Sequence, residues 1–172
     1  DVQKHEHLRI LDAGAVPWCL AVSPDGAYLA AGNALGCLRM WHAETLKPLH
    51  ELNAKGEGVT AAAFSFDGEL VAGGTEHGNV HLWETKTGRE VSRLAVDPLM
   101  IAEVRFTRQG HRLVVVSGNI GNALFGTSSV WDLQSSSCIF RLPGLVDSSE
   151  LDDPDSMETL VVTRTGSRII TK

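Results

Sequence analysis

The feature that most constrains the fold of this 172-residue chain is an internal repeat of 42 residues. The stretch AVSPDGAYLAAG at 21–32 returns almost unchanged as AFSFDGELVAGG at 63–74, and the offset continues without a gap to Trp41 and Trp83. A third copy reaches Trp131 after 48 residues rather than 42, and a fourth copy begins with LVVTRTGSRIIT at 160–171. Self-similarity at such a period indicates a repeat architecture.

Within each copy, short apolar or alternating runs predict strands rather than helices. The runs are separated by SPDG, SFDG, TEHG, TKTG and RTG, which are turn sequences. Asp25 and Asp67 are therefore predicted to form turns and not to act as catalytic acids. Four strands are expected in each unit, near 17–22, 27–32, 36–41 and 46–52 in the first and near 59–65, 69–74, 79–83 and 89–95 in the second.

These motifs resemble the WD-repeat family. The resemblance rests on the Ser-x-Asp-Gly element after the first strand, on the glycine that ends the second strand, and on GCLRMW at 36–41, GNVHLW at 78–83 and SVWD at 129–132. It implies an all-β fold, a β-propeller segment of four-stranded antiparallel blades with about three full blades and partial blades at both ends. Trp41, Trp83 and Trp131 recur once per blade and are expected in the core.

The chain departs from the family pattern in two ways. Only Trp131 is followed by aspartate, and the Gly-His pair that usually precedes the first strand of a blade is absent. Without that histidine, the buried polar network of the family cannot form in its usual way. We therefore expect the blades to depend on apolar packing.

The predicted organisation is a single propeller segment over residues 1–172. Its parts are the last strand of a preceding blade in 1–15 (about 7–12), blades at 16–57, 58–100 and 101–144, an acidic loop at 145–158, and the first two strands of a next blade at 159–172. Propellers close with about four to eight blades. We therefore expect further blades in a longer, multidomain protein, with closure by association of several copies as the alternative.

The composition argues against several classes of function. The chain is 43% hydrophobic and 21% charged, which is typical of a folded domain. A net charge of −6 with scattered basic residues argues against nucleic-acid binding, and no apolar run is long enough to predict a membrane span. The three cysteines lack metal-knuckle spacing and are predicted to be buried, reduced thiols. The expected location is the cytoplasm, with the nucleus possible, and secretion is not expected.

No catalytic motif is recognisable, so the sequence predicts no enzyme, no cofactor and no metal site. His77 and His81 lie four residues apart, but positions i and i+4 of a strand are about 13 Å apart, too far to share a metal ion. We interpret His77 as an exposed turn residue and His81 as a surface strand residue.

Three places where the repeat fails are candidate partner-binding sites on the upper face. Trp18 replaces Thr60 and Ala102 of the other copies, and it either anchors a partner or packs between blades. In the insertion at 117–129, Leu124 and Phe125 either dock a partner or cap their own loop. The acidic segment at 142–159 is either a solvated insertion or a site for a basic partner, phosphorylation or a cation, and its candidate residues are Asp147, Glu150, Asp152 and Asp153.

The resemblance implies a non-catalytic scaffold that binds a protein or peptide partner through its upper-face loops. Two alternatives remain open. One is a structural propeller that packs against another domain of its own chain, and the other is a propeller enzyme whose active residues lie outside this segment.

Overall fold

All regular structure is β in the computed structural model, which describes residues 10–108, 110–118, 126–143, 161–162 and 168–169. The strands are β1 Pro17–Val22, β2 Tyr28–Asn33, β3 Cys37–His42, β4 Pro48–Asn53, β5 Val59–Phe64, β6 Leu70–Thr75, β7 Asn79–Glu84, β8 Glu90–Ala95, β9 Ile101–Phe106, β10 Arg112–Gly118, β11 Gly126–Asp132, β12 Ser137–Pro143, β13 Val161–Val162 and β14 Arg168–Ile169.

The strands form three four-stranded antiparallel sheets, β1–β4, β5–β8 and β9–β12, and β13 pairs with β14. Each sheet keeps chain order, so every strand pairs with its sequence neighbours as in a propeller blade. The predicted all-β, four-stranded architecture is confirmed, and the strand limits predicted for the first two units lie within two residues of those observed.

Only half of the predicted leading strand at about 7–12 can be compared with the structure. Residues 10–12 belong to no strand, and residues 7–9 lie outside the described residues, so the last strand of a preceding blade stays a prediction. A strand requires a neighbour to accept and donate its ladder hydrogen bonds. Among the described residues, no sheet offers one at this position.

The repeated Ser-x-Asp-Gly element closes the hairpin between the first and second strands. Ser23 Oγ donates to Asp25 Oδ1 at 2.6 Å and accepts the backbone N–H of Tyr28 at 2.9 Å. The second sheet repeats the arrangement, with Ser65 Oγ donating to Asp67 Oδ1 at 2.6 Å. The serine and the aspartate thus satisfy the turn backbone, which explains why the motif recurs.

Two apolar clusters hold the sheets together. One joins the first sheet to the second and contains Met40, Phe64 and Trp83; the other joins the second sheet to the third and contains Leu82 and Trp131. Trp41 is also buried, so the prediction that the repeated tryptophans are core residues is confirmed. The first strands of neighbouring sheets contact each other, β1 with β5 and β5 with β9. They therefore line the inner side of the stack.

The burial of the cysteines differs in part from the prediction. Cys19 and Cys37 are half-buried free thiols, but Cys138 is exposed on β12, so the prediction of three buried thiols is wrong there. Burial raises the pKa of Cys19 to about 11, which keeps it a thiol. The described residues contain no helix with the length and apolar character needed to cross a membrane.

The turn element gives a stability prediction. Hydrogen bonds from Ser65 and from the backbone N–H of Glu69 lower the pKa of Asp67, so its carboxylate favours the folded state. We expect Asp67→Ala to reduce the free energy of unfolding by about 1 kcal/mol in urea titrations at neutral pH. This difference should begin to shrink as the pH falls below about 3.9, where the unfolded aspartate protonates, and should disappear below the lowered pKa of Asp67 in the folded chain.

Glu69→Ala is the matched control, because it removes a neighbouring exposed acid whose backbone alone takes part in the turn. It should change stability by less than about 0.5 kcal/mol. An Asp67→Ala variant no less stable than Glu69→Ala would contradict the assigned role of the turn.

Candidate functional site

Trp18 lies near the beginning of β1, at the end of the stack where β1, β5 and β9 begin. We call this end the upper rim and define it by Pro17, Val59 and Ile101. The ladder between β1 and β2 shifts register between Pro17 and Cys19, which leaves Trp18 as the extra residue of a β-bulge. Bulges redirect side chains, and 46% of Trp18 is exposed.

The inner edge of the Trp18 ring packs on the next sheet. A side chain built at Gly58 would place its Cβ 2.4 Å from Trp18 Cζ3, so the glycine is what allows the ring to approach. Glu76 fixes the same glycine from the other side, since Gly58 N–H donates to Glu76 Oε1 at 2.9 Å. Trp18 therefore packs between blades and also presents part of its ring to solvent, and its role as an anchor for a partner stays a prediction.

The same bulge recurs in the second sheet, where Thr60 takes the position of Trp18. Its hydroxyl donates to the carbonyl of Ile101 at 2.5 Å, which again links one first strand to the next. Thr60 and its third-sheet counterpart Ala102 are both half-buried although a sheet lies on either side of β5. The bulge position thus keeps partial access to the inner side of the stack.

An anchored carboxylate lies close to this rim, and the sequence did not reveal it. Glu57 accepts hydrogen bonds from Thr75 Oγ1 at 2.7 Å and Asn79 Nδ2 at 2.8 Å, and pairs with Arg93 at 2.9 Å. Burial raises the pKa of Glu57, but these hydrogen bonds and the arginine outweigh burial and lower it. The Glu57 carboxylate thus joins the loop before β5 to strands β6, β7 and β8. Its oxygens already accept hydrogen bonds from all three of these partners.

The expectation that the blades depend on apolar packing is therefore incomplete. In the third sheet, Trp131 Nε1 donates to Ser129 Oγ at 3.0 Å within the core. The second sheet thus has polar contacts around Glu57, and the third has a different one at Trp131. Because these contacts come from different positions in the two copies, the repeat pattern could not reveal them.

The prediction that His81 is a surface residue is wrong. Its side chain is fully buried on β7, where Nδ1 lies 2.7 Å from Glu90 Oε1 and the ring stacks on Trp83. Its other nitrogen, Nε2, has no hydrogen-bond partner within the described part of the chain. Burial lowers the pKa of His81 despite the Glu90 hydrogen bond and charge, because a second proton would place an unsatisfied N–H in the core. His77 is exposed in the turn, as predicted.

The remaining candidate residues cannot be placed. Leu124, Phe125, Asp147, Glu150, Asp152 and Asp153 lie outside the described residues, so their roles stay predictions. Across the described ranges, no three histidine, cysteine or acidic side chains are grouped so that they could hold a metal ion.

The comparisons with known proteins agree with this geometry. Residues 5–42 and 46–84 match the model of the WD domain, G-beta repeat. The WD-repeat resemblance is confirmed. WD-repeat proteins are generally protein-interaction scaffolds, and the family is generally non-enzymatic.

The chain is also similar to parts of three curated proteins. The chain is 31% identical over 105 residues to Telomerase protein component 1 of Mus musculus, 33% identical over 97 residues to Apoptotic protease-activating factor 1 of Rattus norvegicus, and 31% identical over 100 residues to WD repeat-containing protein SL1-17 of Schistosoma mansoni. These alignments cover 61%, 56% and 58% of the chain. They cover only 4%, 8% and 33% of the relatives, so the chain spans a small part of each.

Among solved structures, Kuenenia stuttgartiensis hydrazine synthase superposes with a TM-score of 0.65. The match covers 75% of this chain and 37% of that chain, at 18% identity. A likeness at this identity shows the propeller fold alone.

The buried histidine predicts a pH-dependent stability. Because the folded pKa is lowered, neutral His81 favours folding above the unfolded value of about 6.5, and this contribution is lost as the pH falls below it. Between about pH 7.5 and 5.5, wild type should lose more unfolding free energy than a His81→Phe variant, which retains a ring against Trp83. Urea titrations at both pH values measure the difference.

His77→Phe is the matched control, because it removes a histidine that is exposed and four residues away. Its pH dependence should equal that of wild type. If His81→Phe and His77→Phe have the same pH dependence, His81 does not protonate as described. The groups near His81 that could modulate this effect are Glu90, Lys55, Arg93 and Glu57.

Proposed function

We propose that this chain is part of a non-catalytic WD-repeat scaffold that binds a protein or peptide partner at its upper rim. The observation that carries the proposal is the half-exposed Trp18, at a bulge whose counterparts are the smaller Thr60 and Ala102. Large aromatic side chains such as tryptophan contribute much of the binding energy in protein interfaces. Trp18 has one edge of its ring packed and the rest available for contact. We also propose that the chain meets this partner in the cytoplasm or the nucleus.

Preorganisation favours this role for Trp18. The edge of its ring rests on Gly58, and Gly58 is in turn fixed by Glu76. A side chain already held in place loses little conformational entropy when a partner covers it. Arg93 and Glu57 brace the neighbouring loop in the same way.

The chemistry of the rim favours a partner with basic residues. Glu76 is partly exposed beside the tryptophan, and no ion pair joins it to another side chain of the described residues. The whole chain carries a net charge of −6. A lysine or arginine that approaches Glu76 would also lie within reach of the Trp18 ring, where cations are attracted to aromatic faces.

Selection from a phage-displayed library of random peptides tests the proposal, because it samples many peptide chemistries at the rim at once. Peptides enriched on the wild-type chain should bind Trp18→Ala at least about 30-fold more weakly, the loss expected for a hot-spot residue of about 2 kcal/mol. Isothermal titration with the synthetic peptides measures the affinities.

Phe66→Ala provides a matched control. Phe66 is also an aromatic with 46% of its surface exposed, but it lies in the turn between β5 and β6 at the opposite end of the stack. Peptide affinity should be unchanged in this variant. Peptides that bind Trp18→Ala as tightly as wild type, or a selection that enriches none, would favour the alternative of a structural propeller.

A further inference from the structure

Residues 54–58 join the first sheet to the second, between β4 and β5, and we call them the connector. The last residue of the connector is Gly58, against which the Trp18 ring packs. Trp18 itself belongs to β1 of the first sheet. The position of its ring at the upper rim therefore depends on how firmly the connector is held.

Two ion pairs hold the connector, and both end on β8. Lys55 Nζ lies 3.9 Å from Glu90 Oε2. Arg93 Nη2 donates to Glu57 Oε1 at 2.9 Å. The connector is thus attached to the outermost strand of the second sheet through Glu90 and Arg93.

His81 on β7 is the neighbour of both of these β8 side chains. Its Nδ1 lies 2.7 Å from Glu90 Oε1, and it stands directly opposite Arg93 in the ladder between β7 and β8. Residues opposite each other in antiparallel strands project to the same side, with Cβ atoms about 5 Å apart. His81 is therefore within reach of the two residues that hold the connector.

The surroundings of His81 fit only the neutral ring. A carboxylate accepts hydrogen bonds, so the hydrogen shared with Glu90 belongs to His81 Nδ1. Nε2 is then an acceptor, and it has no hydrogen-bond partner within the described residues although the side chain is fully buried. A proton on Nε2 would create a buried donor without an acceptor, and it would place a positive ring opposite Arg93.

Acid therefore opposes the contact between the first and second sheets at this point, which we call the closed junction. Burial lowers the pKa of His81 in the closed junction, whereas a histidine exposed to water titrates near about 6.5. Neutral His81 thus stabilises the closed junction above that pH. The stabilisation is lost as the pH falls below it.

We propose that His81 is a proton-operated switch for the upper rim. When His81 takes up a proton from solvent, Glu90 and Arg93 leave the positions in which they hold the connector, and Trp18 loses its support at Gly58. The consequence for binding rests on the function proposed above. The rim binds its partner tightly at neutral pH and more weakly in mild acid.

Other charged or titratable groups lie around His81 on the elements packed against it. Those of β8, the connector and β4 are Glu90, Arg93, Lys55, Glu57 and His50. His50 Nε2 lies 3.0 Å from the carbonyl oxygen of Lys86, at the lower end of the same junction. Arg39 and Glu51 of the first sheet pair with each other on its far side, and β5 and β6 carry no charged residue. His50 is therefore the other group whose titration must be tested.

Amide hydrogen exchange of Gly58 tests the switch without a partner. Its N–H donates to Glu76 Oε1 in the closed junction, so its protection factor reports whether the connector is in place. Between pH 7.5 and 5.5 we expect this factor to fall by about fivefold in wild type, the smaller end of the coupling usual between linked sites. Amides between β9 and β10 should stay protected. Loss of protection in both places would indicate general unfolding and would overturn the inference.

Two variants assign the response to His81. His81→Phe retains a ring against Trp83, and His81→Asn retains an N–H that can donate to Glu90, and neither side chain titrates. In both variants the protection factor of Gly58 should be the same at the two pH values. A fall as large as in wild type would overturn the inference.

His50→Phe is the matched control, because it removes the other histidine at this junction among the described residues. Its Gly58 protection factor should respond to pH as in wild type. A response that disappears in His50→Phe and persists in the two His81 variants would assign the switch to His50 and contradict the proposal.

Peptide binding measures the consequence at the rim. For a histidine-free peptide selected on the wild-type chain, isothermal titration should give about fivefold weaker binding at pH 5.5 than at pH 7.5. The His81→Phe variant should bind it equally at both pH values. Arg93→Gln, which removes the pair with Glu57, should weaken binding already at pH 7.5. Arg89→Gln is its control, because it removes only an exposed pair with Glu84 before β8.

The two measurements can fail separately. If no peptide binds through Trp18 but the Gly58 protection factor responds to pH as expected, the proposed function is wrong and the switch stands. If peptides bind through Trp18 with the same affinity at both pH values in wild type, the switch is wrong and the proposed function stands.

Discussion

The contact between the first strand of one blade and the sheet before it is the interaction on which the structure depends. No sheet here is thick enough to bury its own apolar faces, so each obtains its core from a neighbour. Glycine and alanine on one side, and larger residues such as Ile101 and Phe106 on the other, let the two backbones approach. The geometry of the upper rim depends on these contacts, because Trp18 packs against Gly58 of the next blade.

The repeat predicted the fold well because it records constraints that every blade shares. The turn residues Ser65 and Asp67 satisfy the same backbone groups in each hairpin, so they recur at fixed spacing, and the strands between them follow. Trp83 and its counterparts recur because each fills the same position in a junction. A pattern common to all copies carries little information about what one copy does alone.

The site was only partly predictable for the same reason. Trp18 was recognisable because it breaks the repeat at a position whose counterparts are both small. The buried His81, the exposed Cys138 and the saturated carboxylate of Glu57 were not, because each depends on contacts with residues distant in sequence. The local sequence around a strand histidine does not indicate whether its side chain is buried. Burial depends on whether another sheet packs on that side of the strand.

Native-state hydrogen exchange, followed residue by residue, tests the dependence of each sheet on its neighbours most directly. Strands β5 and β6 have a described sheet on both faces, whereas β1 and β2 have one on a single face. We expect amides paired between β5 and β6 to exchange more slowly than the equivalent amides between β1 and β2, although both ladders have the same hydrogen-bond pattern. Equal protection of the two ladders would contradict it, since each sheet would then be stable without its neighbours.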